Sequence, residues 1–407
     1  MSSLMDRLKA LGVSVGTSDI SPNPQNANAC AGLAEKLGGE EIETIYGPII
    51  RIVKYFPPAF QHGNQKCDPP QTHDIFQAWA SLSDAVNPNA YLFLDTETSG
   101  LSSGTGTFAF LVGIGMFTEQ GFKLIQYFLE SPANEPAMLA QLIKDMTDTS
   151  VFVTYNGKSF DIPLLRNRMI LNRIDSPFEP YAHADLLHIT RKIYKLLLPE
   201  RNLGVVEKEI LHLTRDEIEV PGWMVPEIYT DFLQNHDSEP IKRVLYHNEI
   251  DIVSLAALYQ HINLLLESFT NREAENIPFA VKLSLIRFFL DFGNIEIARA
   301  VFDEMPIDDN LQEEYAKTAL MIGIRLKQQN SIFDAAPYWQ LAADNGNIFA
   351  YIELAKLYEH THKEYKPALA YTMVAQTLCK TQLPTNYTFH EEINHRIQRL
   401  NRLIEEE

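Results

Sequence analysis

The sequence predicts an α/β domain, a mixed sheet flanked by helices, followed by an all-α region of helical repeats. Three observations carry this. Three strand-like runs, residues 91–100, 108–117 and 122–129, follow one another across short turns, the pattern of an antiparallel start to a sheet. Helix-like and strand-like segments then alternate to about residue 266. From about Ile277 the chain reads as continuous helix with recurring small and aromatic positions.

A chain of 407 residues exceeds one ordinary core, so more than one domain is expected. With 45% hydrophobic and 21% charged residues, the composition is that of a soluble globular protein. No run approaches the roughly 20 apolar residues that span a bilayer. The start, Met-Ser-Ser-Leu-Met-Asp-Arg-Leu-Lys, lacks the basic segment and apolar block of a secretory signal. A cytoplasmic protein with no membrane partner is the expectation. Cys30, Cys67 and Cys379 form no framework, which suits a reducing compartment. The net charge of −19 excludes a broad basic coat for nucleic acid. Locally the balance differs: residues 158–201 carry eight Lys/Arg against five acids, a net +3.

In chain order, residues 1–42 read as a short amphipathic helix, Leu4 to Leu11, and a Ser/Asn/Pro/Gly-rich linker. Residues 43–85 read as an extension packing on the next domain, with strands suggested by the alternation from Glu43 to Phe56 and ended by Pro57-Pro58. His62 and His73 are expected to be surface or packing residues. The central domain, 86–268, opens with Tyr91-Leu-Phe-Leu-Asp-Thr-Glu-Thr-Ser-Gly100. Asp95 and Glu97 stand two apart and so share one strand face. Burying two carboxylates side by side is costly unless a cation neutralises them, so the pair is a metal-site candidate. The bland alternative is a polar strand end. The glycine turn Leu101 to Thr107 lacks the Lys-Ser/Thr ending of a phosphate-binding loop and lies between strands.

A helix is predicted from about Asn134 to Met146, then a fourth strand from Val151 to Tyr155 ending at Asn156-Gly157. Asp161 falls at the start of the next helix, where it serves as a plain cap or as a third site carboxylate. His183, Asp185 and His188, at a strand-helix junction, offer no single converging face and are assigned structural roles. Val220 to Pro226 reads as a lid or side wall; Trp223 and Tyr229 are packing residues or platforms for a base. On a helix from about Glu239 to Leu266, His247 and Asp251 lie four apart, one turn from each other.

In the region 275–400, Ala298-Arg-Ala-Val, Ala336-Pro-Tyr-Trp and Ala368-Leu-Ala-Tyr recur at intervals of 38 and 32 residues. This is a helical-hairpin signature, resembling tetratricopeptide or Sel1-like repeats, whose usual use is to bind a protein partner.

Asp95, Glu97, Asp161 and Asp251 thus come from a first strand, a helix start after a fourth strand, and a late helix. Asp-x-Glu-Thr-x-Gly, Asn156-x-x-x-Phe160-Asp161 and the His247–Asp251 pair resemble the three motifs of DEDD exonucleases, which have the ribonuclease H-like fold. More closely, Phe-Leu-Asp-Thr-Glu-Thr-x-Gly-Leu-x-x-Gly-Thr-Gly-Thr and His-Asn-x-x-Asp-Ile-Val-Ser-Leu resemble the YprB-type ribonuclease H-like family. The resemblance covers residues 43–265 strongly, the repeats loosely, and excludes the first 40 residues. It implies 3′→5′ exonuclease action on single-stranded DNA or RNA, with two divalent cations, Mg²⁺ or Mn²⁺. Two ions about 4 Å apart stabilise the attacking and leaving oxygens, and hard ions prefer carboxylates and water.

By the same resemblance Asp95 would bridge both ions, Glu97 and Asp251 would hold the ion of the attacking water, and Asp161 would hold the other. His247 would orient and deprotonate that water. Thr96, Thr98, Gly100, Asn156, Lys158 and Phe160 would touch substrate. One departure concerns the base. Members with tyrosine use Tyr-x3-Asp and those with histidine use His-x4-Asp; here His247 stands at the tyrosine spacing and Tyr246 at the other, so Tyr246 remains the alternative. The rival in a different class is a non-catalytic nucleic-acid-binding or scaffold protein that keeps the fold and uses the repeats.

Overall fold

The structure is a computed structural model, and it describes residues 27–406 apart from 70, 83–89, 101–105, 147–148, 179–181, 216–219, 274 and 307. The expected Leu4–Leu11 helix and most of the Leu101–Thr107 turn lie outside the described residues.

The centre is a seven-stranded mixed sheet in the order β1-β2-β7-β6-β5-β8-β9. β1 (Glu40–Thr44), β2 (Gly47–Phe56), β7 (Gly121–Phe128), β6 (Ala109–Thr118) and β5 (Tyr91–Thr98) are antiparallel neighbours. β8 (Val151–Thr154) and β9 (Ala182–Asp185) continue in parallel from β5. Parallel pairing needs a crossover, and α3 (Glu135–Asp145) and α4 (Asp161–Leu171) supply it. β5 is thus central and apolar, with Tyr91 to Leu94 all buried. Its far end carries the acids.

The N-terminal boundaries differ from expectation. Helix α1 (Ala27–Lys36) and the start of β1 lie within residues assigned to a linker. α1 is followed by Leu37, and both bury apolar side chains (Leu33, Ala34, Leu37) in the core shared with Ile49, Ile50 and Ile52. Strands β1 and β2 join the sheet itself, while β3 (Phe60–His62) and β4 (Gln65–Cys67) pair as a small second sheet and, with α2 (Asp74–Ala80), bury Phe60, Cys67 and Phe76 in the core shared with Tyr91 and Phe93. There His62 is buried against the Ser254 hydroxyl, and His73 caps α2 by accepting from the Ile75 amide.

After β9 come α5 (Leu186–Ile193), α6 (Leu203–Glu209), α7 (Val225–Asn235) and α8 (Glu239–Thr270). Tyr229 of α7 is a core residue, its ring stacked 4.0 Å from Phe110. Trp223, at 67% exposure, is not. Among the described residues α8 alone is long and apolar enough to cross a membrane, but two thirds of its most apolar stretch is buried inside the fold. It lies across the sheet where β6 offers Gly113 and Gly115 as a flat seat. A Cβ on Gly113 would fall 2.1 Å from Asn248 Oδ1 and 2.2 Å from Ile252 Cδ1.

The C-terminal region is helical throughout: α9 (Phe279–Asp291), α10 (Ile295–Asp303), α11 (Gln312–Gln328), α12 (Ile332–Asp344), α13 (Ile348–Leu357), α14 (Tyr365–Gln382) and α15 (Tyr387–Glu405). α9–α10, α11–α12 and α13–α14 pack as antiparallel pairs. Ala298, Ala336 and Ala368 each fall in the second helix of a pair, and Ala298 and Ala368 are fully buried. Among the described residues Trp339 is the largest fully buried side chain, and it lies against Gly323 of the facing helix. Trp339→Ala is expected to cost about 3–5 kcal/mol, seen as a lower urea midpoint.

Candidate metal and catalytic site

The site forms where the β5 terminus, the start of α4 and the first half of α8 meet. Asp95 pairs in register with Gly113, and Glu97 with Leu111, just before a bulge shifts the register and the ladder closes on Thr98 opposite Ala109. The bulge turns the strand and leaves the two acids at the rim. Across this end lies α8. Its Asn248 Nδ2 donates to Asp95 Oδ2 at 2.9 Å, while Asn248 Oδ1 accepts from Gln126 of β7 at 2.9 Å. One buried amide therefore ties helix to sheet through Asp95.

This seating brings Glu97, His247 and Asp251 together, with one ligand atom of each within 4.8 Å of the others. His247 Nε2 lies 3.8 Å from Glu97 Oε1 and 3.7 Å from Asp251 Oδ2. Arg215 completes that side, paired with Glu207 and reaching both Asp251 and His247. Asp161 stands on the other flank at the first turn of α4 and accepts from the Thr96 hydroxyl at 2.5 Å.

Electrostatically these acids form one unit. Burial, then the charges of Asp251, Glu97 and Asp161, hold the Asp95 carboxyl well above the ordinary range, against the Asn248 amide. Glu97 is raised by burial, Asp251 and Asp161, with Arg215 opposing. Burial pushes Asp161 up to about 6, against the Thr96 hydroxyl and its own backbone amide, with Asp185 adding to the rise. Crowded buried carboxylates are stabilised by hard cations, and the oxygen donors of Asp95, Glu97, Asp161 and Asp251 fit Mg²⁺ or Mn²⁺.

The residues expected to touch substrate divide. Thr96 holds Asp161, and Thr98 donates to the Gly100 carbonyl at 2.7 Å, closing the turn after β5. Asn156 and Lys158 each give a backbone N–H to Asp185, at 2.7 and 3.0 Å. Asn156 takes φ 69°, the left-handed conformation an asparagine tolerates. Asp185 is wholly buried and also caps α5 through the Leu187 amide, the structural role expected of it. Only the Lys158 and Phe160 side chains stand exposed here, Phe160 at 51%. His183 contacts the Thr154 hydroxyl at 2.7 Å.

Three contributors were not legible as site residues: Asn248, Arg215 and Glu207. Asn248 sits inside the His-Asn-x-x-Asp string without a role assigned to it. Arg215 and Glu207 precede Asp251 by 36 and 44 residues, and no spacing rule reaches that far. A cleft of about 520 Å³ opens beside them, lined by Gly204, Lys208, Arg215, Gly222, His247 and Asp251.

Residues 92–263 match the RNase H superfamily. Over 370 residues the chain is 32% identical to the uncharacterized protein YprB of Bacillus subtilis (strain 168), covering 87% of this chain and 86% of that protein. The chain belongs to the YprB family within the RNase H superfamily. Among solved structures it is similar to the family B DNA polymerase of the hyperthermophilic archaeon Pyrobaculum calidifontis, at 16% identity and a TM-score of 0.33. That match covers 69% of this chain, which spans about a third (34%) of the polymerase.

Proposed function

We propose that this chain is a metal-dependent nuclease of the DEDD type that hydrolyses phosphodiester bonds of single-stranded nucleic acid from the 3′ end. The observation that carries it is the gathering of Asp95, Glu97, Asp161 and Asp251, with His247, at one sheet end, beside a cleft that His247 and Asp251 line. Asp95, Glu97 and Asp251 would hold one divalent ion and Asp161, with Asp95, the second. Bound there, two Mg²⁺ or Mn²⁺ ions supply charge for the attacking and leaving oxygens. The chain's own groups do the rest. Asn248 and Thr96 hold Asp95 and Asp161 in place, and His247 Nε2 faces the side where Glu97 and Asp251 meet. His247 is favoured over Tyr246 as the residue that faces the attacking water, because its ring reaches both carboxylates. The single-strand preference and polarity rest on the family resemblance.

Phe160 and Trp223 are exposed rings beside the acids and His247, placed to stack on bases, and Lys158 and Lys208 offer cations to the backbone. Phe160→Ala is expected to raise KM for an oligonucleotide roughly tenfold while leaving Mn²⁺ affinity unchanged, stacking being worth about 1–3 kcal/mol per base. The helical pairs are assigned to a protein partner or to the substrate path.

The deciding experiment is a panel of DNA and RNA oligonucleotides, single- and double-stranded, labelled at either end, with Mn²⁺, Mg²⁺ or EDTA. Shortening from the 3′ end that EDTA abolishes supports the reading. Protein that binds these strands but cuts none, under any metal, hands the chain to the scaffold reading instead.

A further inference from the structure

The proposed site contains a half-buried cation whose role follows from its donors. Arg215 lies in the coil after α6, with its side chain 12% exposed. Its guanidinium is seated on Glu207, which is 1% exposed: Nε donates to Oε2 at 2.5 Å and Nη2 to Oε1 at 2.6 Å. This bidentate pair cancels its own charge, so the balance of the four acids is left for metal. The remaining donor capacity points into the site, where Nη2 contacts Asp251 Oδ1 and Nη1 lies 3.2 Å from His247 Nδ1.

A guanidinium donates and cannot accept. His247 Nδ1 must therefore be the acceptor of that bond and carries no hydrogen. The ring hydrogen then sits on Nε2, the nitrogen facing Glu97 and Asp251. We propose, resting on the nuclease reading above, that Arg215 is a positioning residue that holds His247 as an Nε2–H donor, so that His247 orients the reacting oxygen and does not take the water's proton.

Acceptance at Nε2 would need the ring hydrogen on Nδ1, where it would meet a guanidinium N–H. In the hydrolysis the water oxygen forms the new bond to phosphorus and its proton passes to solvent in the cleft. The bond from phosphorus to the leaving sugar oxygen breaks, and that oxygen takes a proton from solvent. The same arrangement explains a histidine at the tyrosine spacing, since a tyrosine hydroxyl also presents a donor. Arg215 further occupies Asp251 Oδ1 and leaves Oδ2, the oxygen nearer His247, turned to the site.

The test uses full-length protein labelled with ¹⁵N-histidine, the His247 signals being assigned by their loss in His247→Gln. Expected is a pyridine-type Nδ1 and a pyrrole-type Nε2 in the wild type. The double variant Arg215→Gln, Glu207→Gln removes both charges together and should shift His247 toward a mixture of tautomers. In the digestion assay His247→Gln, whose side-chain amide keeps an N–H, should lose no more than about tenfold, with His247→Ala losing more. A protonated Nδ1 in the wild type, or an unmoved His247 spectrum in the double variant, overturns the proposal. So does a His247→Gln loss in the ~10²–10⁴-fold range of a removed general base. Wild-type protein inert on every substrate overturns the nuclease reading alone, since the spectra then still decide what Arg215 does to His247.

Discussion

Asp95→Asn is expected to abolish Mn²⁺-dependent digestion, by about 10³-fold or more, while raising the melting temperature of the metal-free protein by a few degrees. The two effects have one cause. Asparagine keeps the shape and can still accept from Asn248 Nδ2, so the tie between β5 and α8 survives. What disappears is a buried charge among Glu97, Asp161 and Asp251, which the folded chain carries at a cost when no cation is bound. One pKa unit of such destabilisation is worth about 1.4 kcal/mol. Wild-type protein should be strongly stabilised by Mn²⁺ and the variant hardly at all, which calorimetry and thermal melts would register. Equal stabilisation of both proteins by Mn²⁺ would remove Asp95 from the metal site.

The same crowding sets a pH dependence. Asp161 titrates near 6 in the folded chain, above the roughly 3.9 of an unfolded aspartate. The folded state holds that proton more tightly, so its contribution to stability is complete below about pH 4 and is lost as pH rises through 6. Metal-free urea midpoints should fall across this window, and Asp161→Asn should flatten the slope. Added Mn²⁺ should restore stability increasingly above pH 6, because the ion needs the carboxylates ionised.

Gly113→Val should damage fold and site together. The added Cβ would overlap the amide oxygen of Asn248 and the end of Ile252, so α8 must lift off the sheet. Overpacking of this kind costs about 1–3 kcal/mol. The larger consequence is positional: α8 carries His247 and Asp251, and Asn248 is what holds Asp95. A displacement near 1 Å in such a site costs on the order of 100-fold in rate. Digestion and stability should fall together, whereas Gly106→Ala, where nothing lies within 4 Å of the new carbon, should change neither. Full activity in Gly113→Val would show that the α8 seat does not set the site.

Much of this was legible in the sequence because it depends on short periods. Asp95 and Glu97 are two residues apart on a strand, and His247 and Asp251 four apart on a helix, so each pair's common face follows from backbone geometry alone. The order of three antiparallel strands before the helices likewise follows from apolar runs and their turns. Asn156 and Lys158 show where such reading stops. Their place beside the site was readable, but their backbone amides are taken by Asp185, a matter of tertiary approach. Arg215 and Glu207 belong to the same class: a coil residue and a short-helix residue acquire meaning only once the fold sets Arg215 between Glu207 and Asp251 of α8. The joining of β1 and β2 to the sheet was missed for a related reason, since alternation identifies strands and not their neighbours.

The helical region also changes how the chain can be divided. α8 runs without a break from the residues of the proposed site to Leu266 and Phe269, which are buried in the same apolar cluster as Val281, Phe289 and Trp339. That cluster also takes in Ile189, Ile193 and Phe93. The hairpins are therefore not cargo on a string. A chain cut after residue 271 would end in a helix whose last turns had lost their cover, and it should precipitate or melt early where a true tail could be shed without notice. The two parts share one bearing, and the helix that ends in it is the one that holds Asp251.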